Sequence, residues 1–279
     1  MTRTGVPCPD WRAERPYIMG ILNATPDSFS DGGRWNTVDR ALAAAEAMLE
    51  AGADLVDVGG ESTRPGAEPV SNDEELSRVV PVIEAIRDRF DCPLSIDTSA
   101  PEVMMQAVAA GACLINDVRG LSRPGALETA AASGASVCVM HMRGEPTTMD
   151  KRTDYADLVA EVIEHLEQRL AAVREAGVPD ERILVDPGFG FAKTTEQNFA
   201  MLRRLHEFES LGVPLLVGMS RKRMIGEATG QPVDRRAMGS AAAAMLAVER
   251  GARVVRVHDV EATRDALSVW QSMATSTAS

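Results

Sequence analysis

The chain has 279 residues, 45% apolar, 25% charged and 4% aromatic, with 22 Gly and 15 Pro, a composition that excludes disorder and fibrous repeats. Its 29 basic and 41 acidic residues leave a formal charge of -12. That sign repels nucleic acid and anionic membranes, so any anion the protein binds must be met by a local cationic pocket. No segment approaches the ~20 apolar residues of a membrane span, and residues 1–15 are polar without an apolar signal core, so a soluble cytoplasmic protein is expected. Cys8, Cys92, Cys113 and Cys138 have no metal-ligand spacing, and no disulfide framework is expected.

After an N-terminal extension over 1–15, YIMGILN reads as a first strand and VDRALAAAEAMLEAG as a helix with Thr37 as its cap. From there a regular unit recurs: a helical run ends at a Gly, and a short apolar, β-branched run follows. It is read at Gly52 before DLVDVGG, Gly111 before CLINDV, Gly134 before SVCVMHM, Gly177 before ERILVDPG, Gly212 before PLLVG and Gly251 before RVVRVHD. PLSID after Asp91 completes about eight strands, and Ser71 to Glu74 has capping-box spacing before LSRVVPVIEAIRD, where Pro81 predicts a kink or an early end. The strands are continuous apolar runs, as strands buried on both faces should be. No linker interrupts them, and only 274–279 reads as a frayed tail.

These features predict a single-domain TIM (β/α)8 barrel over 1–279, with a doubly wound sheet as the competing fold. The strand ends favour the barrel. Asn23, Glu61, Asp97, Asn116, His141, Asp186, Ser220 and the pair Arg256 and His258 close nearly every strand with a polar group, and a barrel gathers all of these at one mouth.

Chemistry is expected there. ILNATPDSFSDGG and GGESTRPGAEP are too polar and too rich in Gly and Pro for buried strand or helix, and Arg64 beside Thr63 suits phosphate recognition. Asp97, Asn116 and Asp186 form a donor and acceptor set suited to a flat nitrogen heterocycle with an amidine edge. SRKRMIG, opening a helix at Ser220, offers backbone N–H groups and two or three cations to an anion. Arg256 and His258 alternate on the last strand and point the same way. His165 and His206 read as surface residues, and His141 has no partner at a zinc spacing.

Read together and in order, ILNATPDSFSDGG, GGESTRPGAEPV, SIDTSAPEV, LINDVRG, DPGFGFAKT, GMSRKRMIG and RVHDV resemble the dihydropteroate synthase family from Ile18 to Val260. The resemblance implies a TIM barrel that transfers a dihydropterin-methyl group from its pyrophosphate ester to p-aminobenzoate, with Mg2+ as cofactor and a homodimeric assembly. By carry-over, Asp97, Asn116, Asp186 and Lys222 would hold the pterin, while Asn23, Thr63, Arg64, Arg256 and His258 would hold the pyrophosphate, Asn23 touching the metal. Ser220 and Lys222 would take the p-aminobenzoate carboxylate side, with Thr63, Pro65 and Phe191 around its ring. Arg64, Lys222, Arg256, His258 and Asp97 would carry catalysis. Ala24, Ala100, Ala192 and Arg223 depart from the family's usual Val, Lys, Gly and Ser. Two alternatives stay open at this point: a corrinoid-type pterin methyltransferase domain, for which the phosphate-binding groups would be surplus, and a silent pterin-binding protein.

Overall fold

The computed structural model describes residues 5–25, 34–61, 70–145 and 147–276. Eight parallel strands close into a barrel in chain order: β1 (Tyr17–Asn23), β2 (Leu55–Gly59), β3 (Leu94–Asp97), β4 (Leu114–Asp117), β5 (Ser136–Met140), β6 (Ile183–Asp186), β7 (Leu215–Val217) and β8 (Ala252–Val257). Between and after them run α1 (Arg34–Glu50), α2 (Asn72–Arg89), α3 (Pro101–Ala110), α4 (Ala126–Ser133), α5 (Leu158–Glu175), α6 (Thr195–Arg203), α7 (Arg223–Thr229), α8 (Ala237–Val248) and α9 (Val260–Ala274). The barrel closes where β8 pairs with β1, Met19 opposite Arg256. The doubly wound alternative is thereby excluded.

The recurring glycines have a physical reason. Gly52, Gly111, Gly134, Gly177, Gly212 and Gly251 all have φ between 70° and 128°, where a Cβ is disfavoured and the chain turns from helix to strand at little cost.

Alternation along the strands makes two cores. One face of each strand packs against the helix layer, as with Ile18, Val56, Ile96, Ile115 and Val185. The other face fills the barrel with Tyr17, Met19, Leu55, Leu114, Cys138, Leu184, Leu216 and Val254. The supposed extension belongs to this second core. Trp11 is 2% exposed, and its indole donates to Ser136 Oγ at 3.0 Å, sealing the end of the barrel opposite the mouth.

Two expectations are corrected, and a third is met in part. Thr37 lies within α1, which begins at Arg34. Pro81 sits inside an unbroken α2, on its solvent face, where the Ser77 carbonyl that lacks a proline N–H is open to water. Ser71 caps that helix by accepting from Glu74 N at 3.3 Å, while the complete capping box is at Thr194 and Gln197 on α6.

Cys8 and Cys113 form a disulfide, Cα–Cα 5.5 Å, across 105 residues, against the expectation of none. It ties the Trp11 segment to the start of β4. Reduction, or Cys8→Ser, is expected to lower stability by about 2–4 kcal/mol because the unfolded chain regains the entropy of that open loop, with turnover unchanged. Urea unfolding with and without reductant checks this, and the two curves should merge in the variant.

Candidate active site

Several inward positions nearest the mouth are polar or charged. Asp57 on β2 is fully buried, and Asp97, Asn116 and Asp186 are each 7% exposed or less. Arg256 on β8 reaches across the barrel, its Nε 2.5 Å from Asp57 Oδ2 and its Nη2 2.7 Å from Asp97 Oδ2. Asn116 Nδ2 donates to the same Asp57 oxygen at 3.3 Å. Asp186 Oδ1 accepts from Gly188 N at 2.7 Å, an aspartate turn that leaves its other oxygen free of that bond.

Lys222 precedes α7 and donates to the Phe189 carbonyl, its ammonium 4.6 Å from the centre of the Phe191 ring. Ser220 is buried and lies 3.0 Å from His258 Nδ1, also accepting from His258 N at 3.1 Å. Asn23 stands half-buried at the end of β1, opposite Gly59.

Burial dominates the electrostatics. It lifts Asp97 to about 7 against the pull of Arg256, and it raises Asp186 against Lys222 and the Gly188 N–H. It also lowers Lys222 to about 8, Asp186 opposing. For Arg256 burial opposes the charge, but Asp57 and Asp97 outweigh it and the net direction is upward. The result is a largely buried floor in which carboxylates and cations act on one another strongly and donors and acceptors are fixed before anything binds.

Most of the sequence-assigned residues therefore meet: Asp97, Asn116, Asp186, Lys222, Arg256, Phe191, Ser220 and His258 surround one barrel end. Thr63, Arg64 and Pro65 lie outside the described residues, as does most of the first polar loop. Of the cations in SRKR, Arg221 is bound to Asp259, Nε to Oδ2 2.9 Å, and Arg223 is 62% exposed beside Glu227. Lys222 is the one directed at the floor, so the anion site expected from SRKRMIG is smaller than its charge count. Arg256, expected among the phosphate ligands, is already engaged by two aspartates.

Two residues escaped the sequence reading. Asp57 is one, although a carboxylate between Val56 and Val58 in a buried strand signals an inward charge that must be paired. Lys193 is the other, 3% exposed and lowered by burial to about 7. Its Nζ lies 3.0 Å from His141 Nδ1. His165, expected at the surface, is half-buried and packs edge-on against His141 at 4.9 Å, whereas His206 is exposed.

Among the described residues no three His, Cys, Asp or Glu side chains cluster to hold a metal. The Asn23 amide oxygen at the rim nevertheless fits Mg2+, a cation that takes one or two protein oxygens and completes its shell from substrate phosphates and water.

A closed parallel barrel whose mouth gathers largely buried Asp, Asn, Asp and Lys side chains suits a pterin-binding enzyme, and the family model of that description, "Pterin binding enzyme", matches residues 19–258. Dihydropteroate synthase of Haemophilus influenzae is 51% identical over 259 residues, 93% of this chain and 94% of that protein. The Escherichia coli K12 enzyme is 51% identical over 257 residues, 92% and 91% of the two chains. The solved structure of Xanthomonas albilineans dihydropteroate synthase with 4-aminobenzoic acid superposes with a TM-score of 0.89 at 52% identity, covering 94% of both chains. A second structure from that organism, in complex with 7,8-dihydropteroate, gives 0.86 at 49% identity, covering 94% and 95%. The chain belongs to the dihydropteroate synthase family, and the methyltransferase alternative is set aside.

Proposed function

We propose that this enzyme joins 6-hydroxymethyl-7,8-dihydropterin pyrophosphate to p-aminobenzoate, giving 7,8-dihydropteroate and pyrophosphate by a dissociative substitution. The observation that carries the reading is the largely buried set Asp97, Asn116, Asp186 and Lys222, whose donors and acceptors suit those of a pterin. Asp186 accepts from the amidine edge, and Lys222 donates to the ring acceptors.

The difficult step is breaking the C–O bond, because charge gathers on the departing pyrophosphate. Asn23, Thr63, Arg64, Arg256 and His258 hold that group, the last tethered to Ser220. Asn23 would help hold Mg2+, which when bound would neutralise part of the leaving-group charge. The methylene cation delocalises into the pterin ring. The aryl amine, already a nucleophile, attacks without a strong base and then loses a proton to solvent. Ser220 takes the aminobenzoate carboxylate, and Thr63, Pro65 and Phe191 wall its ring. Pyrophosphate release from the two substrates tests this directly, and no release, or release independent of p-aminobenzoate, would overturn it.

Arg64→Ala is expected to lower turnover by about a hundred- to a thousandfold with the fold intact, the usual loss when one donor to developing charge is removed. Arg64→Lys should do nearly as badly, since a point charge does not reproduce a bidentate fork. Steady-state pyrophosphate release, with circular dichroism as the folding control, is the measurement.

The homodimer proposal is supported by an apolar face. Met238 and Val269, on α8 and α9, are 80% and 68% exposed and flank a shallow groove with Ala241, Ala242, Met245 and Ala266, a patch that a second copy would cover. Light scattering should give twice the 29.9 kDa chain mass. A cytoplasmic location remains part of the same proposal; among the described residues no helix is long and apolar enough to cross a membrane.

A further inference from the structure

The loop between β6 and α6 carries an unusual run of backbone. Gly188, Gly190 and Ala192 have φ of 73°, 78° and 50°, and the last is a residue with a Cβ in a region that costs about 1–2 kcal/mol. Such a conformation persists only where its surroundings determine it. A side chain at position 188 is also excluded, since its Cβ would lie 2.0 Å from the His141 carbonyl oxygen.

Asn198 Oδ1 accepts from Gly190 N at 2.7 Å and Tyr155 Oη donates to Ala192 O at 3.1 Å, and Lys193 holds two further carbonyls of the run. Its buried Nζ donates to Gly188 O at 2.9 Å and Phe191 O at 3.0 Å and meets His141 Nδ1 at 3.0 Å. Three partners match the three protons of an ammonium, with His141 accepting. A neutral amine still serves both carbonyls with its two N–H groups and accepts from the other imidazole tautomer, so the loop is held in either state. Between these two carbonyls, Phe189 O accepts from Lys222, whose ammonium faces the Phe191 ring. Lys193 thus ties the Gly188 and Phe191 carbonyls together from within the protein, and Lys222 meets the Phe189 carbonyl at the mouth.

We propose that Lys193 is a positioning residue for the aminobenzoate half of the site, setting the place of Phe191 beside Lys222 and hence the affinity for the aromatic amine. It touches neither substrate. The inference rests on the assignment of Phe191 as a wall of that pocket. Asp186 keeps its own bond to Gly188 N, so the pterin half is affected less.

The test compares Lys193→Met, Lys193→Gln, His141→Gln and Phe191→Ala, with kcat and both KM values measured beside unfolding curves. Lys193→Met strips both loop carbonyls of their donor and should raise the KM for p-aminobenzoate by about tenfold or more, the loss expected when buried acceptors are left unpaired. The KM for the pterin ester should stay within about threefold. Lys193→Gln, which retains an NH2 donor, should recover part of the loss, and it carries the test if the methionine variant does not fold. His141→Gln removes a Lys193 partner without freeing the loop carbonyls, so it should lower stability and leave the aminobenzoate KM within about threefold. If Phe191→Ala raises that KM but neither Lys193 variant does, or if all kinetic constants fall together with stability in the Lys193 variants, the proposal is overturned. If Phe191→Ala itself leaves the KM unchanged, the assignment of the pocket fails, and the inference built on it is withdrawn.

Discussion

Arg256→Met is expected to cost the protein both activity and stability. Activity should drop by about a thousandfold, because the proposed mechanism places leaving-group charge beside this preorganised cation. Stability should fall by about 3–5 kcal/mol, since Asp57 and Asp97 are left buried without their counter-charge, Asp57 being wholly inaccessible. The loss has a pH signature. Asp97 titrates near 7 in the folded protein against 3.8 for a free side chain, and removing Arg256, which holds it down, raises the folded value further. A carboxylate with a raised folded value favours folding while protonated and loses that contribution as pH rises through the folded value. The variant should therefore be least impaired in acid and most impaired above neutrality. Arg256→Met combined with Asp57→Asn removes one orphaned charge and should recover much of the stability but little of the turnover. Urea unfolding across pH, with pyrophosphate release measured alongside, checks all of this. Equal stability losses at acid and alkaline pH would show that the ion pairs do not couple as described.

Asp186→Asn separates the two substrates. The amide oxygen can still accept from Gly188 N, a bond of 2.7 Å in the parent, so the turn survives. The other position now presents an NH2 to the donors of the amidine edge. Pterin affinity should fall by about 10- to 100-fold, the range for one buried donor left unpaired, with p-aminobenzoate affected much less. Calorimetric titration with a non-reactive pterin is the measurement. Unchanged affinity would reduce Asp186 to the residue that makes its own turn.

Asp97, Asn116 and Asp186 could be recognised from local pattern because each ends an apolar run, and a polar group at the C-terminal end of a barrel strand has one place to point. Asp57 ends nothing. It lies within its strand, and its importance comes from Arg256, 199 residues away, an acquaintance made only by the closing of β8 against β1. SRKR misled in the opposite direction. Its charges look like one anion site, but the left-handed φ of 57° at Arg221 turns that side chain to Asp259, and the helix turns Arg223 to solvent. Cys8 and Cys113 were silent for the same reason: their pairing depends on how the N-terminal segment folds under the barrel.

The sequence by itself determined the number of βα units, their order and the polar residues that end the strands at the mouth. Those properties follow from local rules, namely glycine at helix-to-strand turns, continuous apolar strands and polar residues where each strand leaves the core. The tertiary structure alone decided which charges neutralise one another. It locked Arg256 between Asp57 and Asp97, plugged the barrel with Trp11, and set Lys193 behind the loop of Phe191. Burial and pairing are properties of groups far apart in the chain, and in a medium that screens charge weakly they fix the energy of every ionised side chain.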